Sequence, residues 1–372
     1  MAINEVLFIY LGSKPAKYIK PSLELACLHS GVKVTLIAEG SLKNIWQSSN
    51  INFVELEDFY IGEKFNNAKQ KISLDHNFRN GFWLHTLERF FILEQFMHVT
   101  SQDSIFHAEL DQLLFGVDDL ISELESQDFK GLYFPLHNLD KAVASVLYCN
   151  SKAAIGTLTD RACMGSPYAN EMELLIRWAN EYAEYFCALP TLSEVGPNIS
   201  SIKLSKTFKL VEHRSIGGIV DAAELGLWIG GRDPRNLSLR HKPTNKFTYP
   251  KYRSALSKEL LQSLKFILDS DSKQLFVQLR DNPESIRIYN LHLQSKIHSW
   301  LASSNSNLSY MINISNSSEA TSFPSTRRTQ IMYAAGVVIG RVRKEKIRYI
   351  YQKTVQYCPL IIRTIKNKFF NK

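Results

Sequence analysis

The feature that most constrains the fold is a repeated alternation of short apolar runs with helix-length segments. Val6-Leu7-Phe8-Ile9-Tyr10-Leu11 is a strand-length apolar run closed by Gly12-Ser13-Lys14-Pro15, and Val32 to Ala38 is a second run after a helix-length interval. That order predicts a β-α-β unit with parallel strands. Further along, Trp83, Leu87, Phe90, Phe91 and Met97 recur at helical spacing, with Arg89 on a neighbouring face. Ser104 to Ala108 reads as a strand leading into Glu109-Leu110-Asp111, and Val117 to Leu124 as a helix. Gly131 to Pro135 and Ala144 to Tyr148 read as strands, and Asn170 to Phe186 as an amphipathic helix. Strands alternating with helices in this way predict a layered α/β body.

Composition fits such a body and excludes several alternatives. With 372 residues and 45% hydrophobic content, the chain can bury a substantial core in one large domain or two smaller ones. Its five cysteines, Cys27, Cys149, Cys163, Cys187 and Cys358, are scattered and form no CxxC pair, which argues against a disulfide framework or a zinc knuckle and for a reducing compartment. The segment Met1 to Glu5 has no basic region, and the apolar run after it is strand-length, so a signal peptide is not expected and a cytoplasmic location is. No GxGxxG follows the first run, which leaves a dinucleotide-binding site unsupported.

The formal charge of +8 is unevenly placed. From Arg327 onward there are twelve Lys and Arg against one acid, Glu345, a net +11 that leaves the preceding body at −3. The body therefore offers no basic footprint for nucleic acid. Residues 301–326, rich in Ser and Asn, read as a polar linker, and residues 327–372 as a basic helical tail. Within the tail, Ile331 to Gly340 is too short to cross a bilayer, which takes about 20 residues. Beyond it Ile347, Tyr351, Val355, Cys358, Ile362, Ile365 and Phe369 form an apolar stripe interrupted at Pro359. A pair of basic amphipathic helices can lie on an anionic membrane, or pack on the body or a partner.

Three stretches could carry chemistry. In Glu109-x-Asp111 the two carboxylates share one side if the segment is extended, so both could face a hard cation such as Mg²⁺ or Mn²⁺; an acid-x-acid triplet is also common as surface charge. The run Ile288 to Lys296 is strand-like and delivers an imidazole, His292, and four residues later an ammonium, Lys296. Imidazole can bind a divalent metal and ammonium a phosphate, although a buried histidine can equally be a hydrogen-bonded core residue. Read together, the two stretches suggest a metal-bound nucleoside diphosphate held between distant parts of the chain. The third stretch runs from Gly217 to Asn236, where Asp221 precedes a tightly packing segment, Ala222 to Gly226, that Gly230-Gly231 stops. Asp221 could cap that helix or contact a sugar or acceptor hydroxyl.

These motifs, in the order of a Trp83 to Met97 helix, an acid-x-acid strand, an Asp-Ala-Ala helix ending in Gly-Gly-x-Asp-Pro-Arg-Asn, and a Tyr-Asn-Leu-His strand, resemble bacterial GT-A-type glycosyltransferases of surface-polysaccharide biosynthesis. The resemblance spans roughly residues 4 to 300 and implies a GT-A-like mixed sheet flanked by helices over residues 1–300. It implies that Glu109 and Asp111 stand at the metal-binding acid-x-acid positions, His292 at the C-terminal metal-binding histidine, Lys296 near the diphosphate and Arg89 near the nucleotide. Glu109 departs from the family's aspartate by one methylene. The activity implied is transfer of a sugar from a nucleotide-sugar donor to a cell-surface glycan or lipid-linked acceptor, assisted by Mn²⁺ or Mg²⁺; the basic tail, read from its own residues, would hold such an enzyme at the inner face of the plasma membrane. Asp221, Glu171 and Asp233 are the candidates for a general base on the acceptor hydroxyl. Two rivals stand beside this reading: a non-catalytic homologue that binds nucleotide or glycan, and a membrane-recruited scaffold.

Overall fold

The computed structural model describes residues 5–46, 50–59, 62–72, 81–165, 170–195, 208–230, 256, 258–269, 271–279, 284–294, 298–302 and 306–316. The N-terminal half carries β1 (Glu5–Tyr10), α1 (Ile19–His29), β2 (Lys33–Ala38), α2 (Lys43–Trp46), β3 (Ile51–Glu55), α3 (Gly62–Lys71), α4 (Phe82–Val99), β4 (Ile105–Ala108), β5 (Gln112–Leu114), α5 (Val117–Glu125), β6 (Leu132–Asn138), β7 (Lys141–Ala142), β8 (Val146–Cys149) and α6 (Lys152–Cys163). There follow α7 (Glu171–Glu181), β9 (Phe186–Leu189), α8 (Leu192–Val195), β10 (Gly218–Ile219), α9 (Glu224–Gly230), α10 (Lys258–Ser263), β11 (Leu264–Asp269), β12 (Gln274–Leu279), β13 (Ser285–Ile288), β14 (Asn290–His292), α11 (His298–Leu301) and α12 (Ser306–Asn316).

The expected mixed α/β sheet flanked by helices is present. Its strands run β3-β2-β1-β4-β8-β6-β7, with β9 also paired to β6. From β3 to β4 neighbours are parallel; β8 is antiparallel to both β4 and β6. The apolar runs explain this placement, because Val6, Leu7 and Phe8 are all fully buried and alternate between the two faces. Leu7, Ile37, Ile105 and Leu147 pack with α4, α6 and α7, whereas Val6, Phe8, Leu36 and Phe106 pack with α1 and α5. A third core joins a small sheet, β10-β13-β12-β11, to α9, α11 and α12.

Three expectations need correction. The helix starting at Glu171 ends at Glu181 rather than Phe186; Tyr182 leaves helical geometry, and Phe186 opens β9, where it pairs with Leu132 and packs against Phe134. The run from Ile288 is not one strand: at Tyr289 the chain changes sheets, its N–H donating to the Ile219 carbonyl and its own carbonyl accepting from Phe115. Within the expected linker, Ser306–Asn316 is a helix with Leu308, Met311 and Ile312 buried, and the Asn316 amide bonds both the N–H and the C=O of Phe266 on β11. Residues 327–372 lie outside the described residues. Among the described residues no helix is long and apolar enough to cross a membrane.

One buried polar group in the main sheet has a consequence for stability. His107, on β4, is almost wholly buried, and its Nδ1 lies 2.9 Å from the Leu7 carbonyl. Burial, helped by the Arg89 charge, lowers its pKa to about 3, far below its value in the unfolded chain. The unfolded state thus binds the proton more readily, and this contribution to stability, full above the unfolded pKa of about 6.5, declines as pH falls toward 3. The unfolding temperature is expected to fall between pH 7 and pH 5 more steeply in the wild type than in His107→Asn, as measured by calorimetry.

Candidate functional site

The site forms at the C-terminal end of β4, where the main sheet changes from parallel to antiparallel pairing. The strand order also reverses between β1 and β4, and the crevice beyond the carboxyl ends of strands at such a switch point is where α/β sheets leave room for ligands. Here the Glu109 N–H donates to Ser145 and the Gln112 N–H to the Glu109 carbonyl, so the chain turns at Glu109-Leu110-Asp111 and enters β5. Leu110 goes into the core beneath, and Glu109 and Asp111 share the opposite side.

β5 then pairs antiparallel with β14, setting His292 opposite Gln112. The Leu293 N–H donates to the Asp111 carbonyl at 2.8 Å, which fixes the acidic turn against the histidine strand. His292 Nε2 consequently lies 3.3 Å from Asp111 Oδ2 and 3.6 Å from Glu109 Oε2. One ligand atom from each of Glu109, Asp111 and His292 lies within 4.8 Å of the others, close enough for a single ion. Two carboxylates and an imidazole suit a divalent cation that keeps further positions for phosphate oxygens. The donor set therefore fits the metal expected from the sequence.

Arg89 lies behind these ligands. It is buried in α4, where Nη1 bonds Glu109 Oε1 and Nη2 bonds Glu171 Oε1 at 2.7 Å. Both terminal nitrogens thus hold carboxylates, so the expectation that Arg89 approaches a nucleotide gives way to one in which it orients Glu109. Glu171, at the start of α7, is buried, and burial pushes its carboxyl up to about 7 against the pull of Arg89. Its Oε1 holds Arg89. With all three acids ionised, Glu109, Asp111 and Glu171 outnumber the one guanidinium by two charges in a mostly buried cluster, which a divalent cation would balance.

Asp221 takes the first of its two expected roles, as a cap. Its Oδ1 accepts from the N–H groups of Ala223 and Leu225, and its Oδ2 from those of Gly226 and His292. Burial raises its pKa while these amides pull it down. The residue thereby joins the start of α9 to the metal-facing strand, and its carboxylate is committed to four backbone donors. Asn290 completes the join: its side chain accepts from the Asp221 N–H and donates to Gln112 Oε1 at 2.7 Å. Gly226 lets the two elements touch, since a Cβ there would lie 2.4 Å from the His292 carbonyl oxygen. Asp233 and Lys296 lie outside the described residues.

The sequence alone did not single out the cleft beside this join. It is lined by His137, Thr191, Ser193, Asp221, Glu224 and Leu225, among others. His137 Nδ1 is 3.7 Å from Glu224 Oε1, and Thr191 and Ser193 share a hydroxyl hydrogen bond of 2.7 Å. Burial, with Lys141 nearby, lowers the His137 pKa to about 4, so its imidazole is neutral near pH 7. His137 lies near the end of β6, after its apolar run, and Glu224 opens α9; no spacing within the chain links them, and only the tertiary fold shows the pair.

No protein-family model and no curated protein sequence matches this chain. Among solved structures, mouse xyloside xylosyltransferase 1 in its apo form is similar at 9% identity over 51% of this chain and 86% of that one, with a TM-score of 0.37. The glycosyltransferase GlyE of Streptococcus pneumoniae TIGR4 is similar at 15% identity over 50% of this chain and 45% of that one, with a TM-score of 0.32. The galactosyltransferase LgtC, in complex with donor and acceptor sugar analogues, is similar at 13% identity over 51% of this chain and 74% of that one, with a TM-score of 0.31.

The join should be the weak point of the site. Asp221→Ala leaves four buried amides without their acceptor and is expected to cost about 3 kcal/mol or more in denaturant unfolding. Gly226→Ala should displace β14, so calorimetry should show a lowered unfolding temperature even where circular dichroism still reports a folded chain.

Proposed function

We propose that the chain is a metal-dependent glycosyltransferase that moves a sugar from a nucleotide-sugar donor to a cell-surface glycan or lipid-linked acceptor. The observation that carries this reading is the convergence of Glu109, Asp111 and His292 at the open end of the sheet. Mn²⁺ or Mg²⁺ held there would bind the donor diphosphate and offset the negative charge that grows on it as the anomeric carbon–oxygen bond breaks. Glu109 and Asp111 supply oxygen ligands, and His292 a nitrogen ligand from the other lobe. Asp221 and Asn290 hold His292 in place. Lys296 remains our proposed contact to the diphosphate, and Asp233 the remaining candidate for a base.

Thermal unfolding with UDP, GDP, CDP and dTDP, each with and without Mn²⁺, tests the site and identifies the base recognised. One nucleotide should raise the unfolding temperature only when the metal is present, because ligand binding to the native state stabilises it. Asp111→Ala and His292→Ala should abolish that shift while still unfolding cooperatively. Absence of a shift in the wild type with every nucleotide would favour the scaffold reading.

We propose further that residues 327–372 bind an anionic membrane surface and keep a cytoplasmic enzyme near lipid-linked acceptors. Support comes from twelve basic residues against one acid. Each basic residue near an anionic leaflet contributes about 1 kcal/mol. Deleting residues 327–372 should release the protein from phosphatidylserine vesicles in sedimentation at low salt and leave nucleotide binding intact. Continued sedimentation of the truncated chain would remove the tail as the anchor.

A further inference from the structure

We infer that position 109 requires glutamate: Arg89 holds one of its carboxylate oxygens, leaving the other to face the ion, and Glu171 fixes Arg89 for that task. The inference rests on the metal reading above and assigns Arg89 and Glu171 as positioning residues. A glutamate at this position would otherwise pass for a lengthened aspartate and a weakened ligand.

The geometry points the other way. Glu109 Oε1 is bonded to Arg89 Nη1, while Oε2 is the atom that lies 3.6 Å from His292 Nε2. The two oxygens therefore have different tasks. Arg89 cannot follow a retreating carboxylate. It projects from the middle of α4, whose neighbouring Phe90, Phe91, Ile92 and Leu93 are all buried, and its other terminal nitrogen is bonded to Glu171. Glu171 is itself fixed at the start of α7, where Asn170 caps the helix by accepting from the Glu173 N–H at 3.1 Å.

Shortening the side chain at 109 by one methylene withdraws the carboxylate by about 1.5 Å along the chain direction, the length of one carbon–carbon bond. An aspartate can then reach Arg89 or the ion. If it stays on Arg89, the ion loses an oxygen ligand. If it follows the ion, Arg89 and Glu171 are left buried with one partner missing, an arrangement disfavoured in a low-dielectric interior. Planarity of the guanidinium matters for the same reason: its two terminal nitrogens can bond two carboxylates in fixed directions, which a lysine ammonium cannot reproduce.

The test is Mn²⁺ binding to the full chain, followed by electron paramagnetic resonance, with unfolding temperature recorded for every variant. Wild type should bind Mn²⁺ and Asp111→Asn should lose it. Glu109→Asp and Arg89→Lys should each weaken binding about 10-fold or more, in the range typical of groups that orient a metal ligand, and alter the spectrum of the bound ion. Glu171→Gln, nearly isosteric and able to keep the fold, should weaken it by a smaller factor in the same direction, and Glu171→Asp, whose carboxylate retreats from Arg89, should weaken it at least as much. Wild-type affinity in Glu109→Asp, with Asp111→Asn still defective, would overturn this inference and leave the metal site standing. Failure of the wild type itself to bind Mn²⁺ would overturn both. Weakened binding in Glu109→Asp with undiminished affinity in Glu171→Gln would remove Glu171 from its assigned role.

Discussion

The pairing of β5 with β14 is the interaction on which the rest of the site depends. It is only three residues long on each side, yet it carries His292 from the C-terminal lobe to the acidic turn that leaves the main sheet. A two-stranded ribbon of this length is marginal by itself in water. It persists because it is held from several directions. The Leu293 N–H bonds the Asp111 carbonyl, Asn290 bonds Gln112, and the Asp221 carboxylate binds the His292 N–H together with the first amides of α9. Further along the same connection, Arg287 on β13 pairs with Asp119 of α5 at 2.6 Å and bonds the Gly116 carbonyl. The small sheet is thus tied to the large one by charge-assisted hydrogen bonds at both ends of a short crossing.

Buried charge is the second constraint. Arg89, Glu171 and Asp221 are all buried near the site, and each is compensated differently. Arg89 has two carboxylates, Asp221 has four amides, and Glu171 has one guanidinium and a carboxyl that burial pushes up to about 7. A charge removed from water without such partners costs several kcal/mol. The interior of the sheet therefore fixes the directions in which Glu109 and His292 point before any ligand arrives.

Much of this was legible from residue types alone. The β1-α1-β2 unit and α4 follow from periodicity, because a strand buried on both faces leaves an unbroken apolar run and a helix repeats the apolar residues it buries at steps of three and four. The meeting of Glu109, Asp111 and His292 was legible because few side chains can bind a divalent ion, although the two acids meet through a turn, closed by the Gln112 N–H on the Glu109 carbonyl, and not along an extended segment. Roles that depend on a partner remote in sequence were not legible. Arg89 looked like a nucleotide contact because nothing local shows that Glu171 comes to meet it. Asp221 left two roles open because the four amides that claim its oxygens include one from β14. The change of sheets at Tyr289 was hidden because hydrogen bonds to Ile219 and Phe115, and no break in the apolar run, produce it. His137 and Glu224 were invisible for the same reason.

A site assembled in this way links any ion it holds to the contact between β5 and β14. Glu109 and Asp111 belong to the main sheet, and His292 reaches them only while β14 lies along β5 and Gly226 lies against its backbone. An ion bound by all three would add its binding free energy to the joined state and none to a state in which β14 has moved away. The cleft at His137 and Glu224 shares this dependence, since Glu224 sits at the start of the helix that Asp221 anchors to β14. The cluster of Glu109, Asp111 and His292 and the cleft at His137 thus depend on one short ribbon, so the ribbon's geometry, more than any single side chain, sets whether the site is complete.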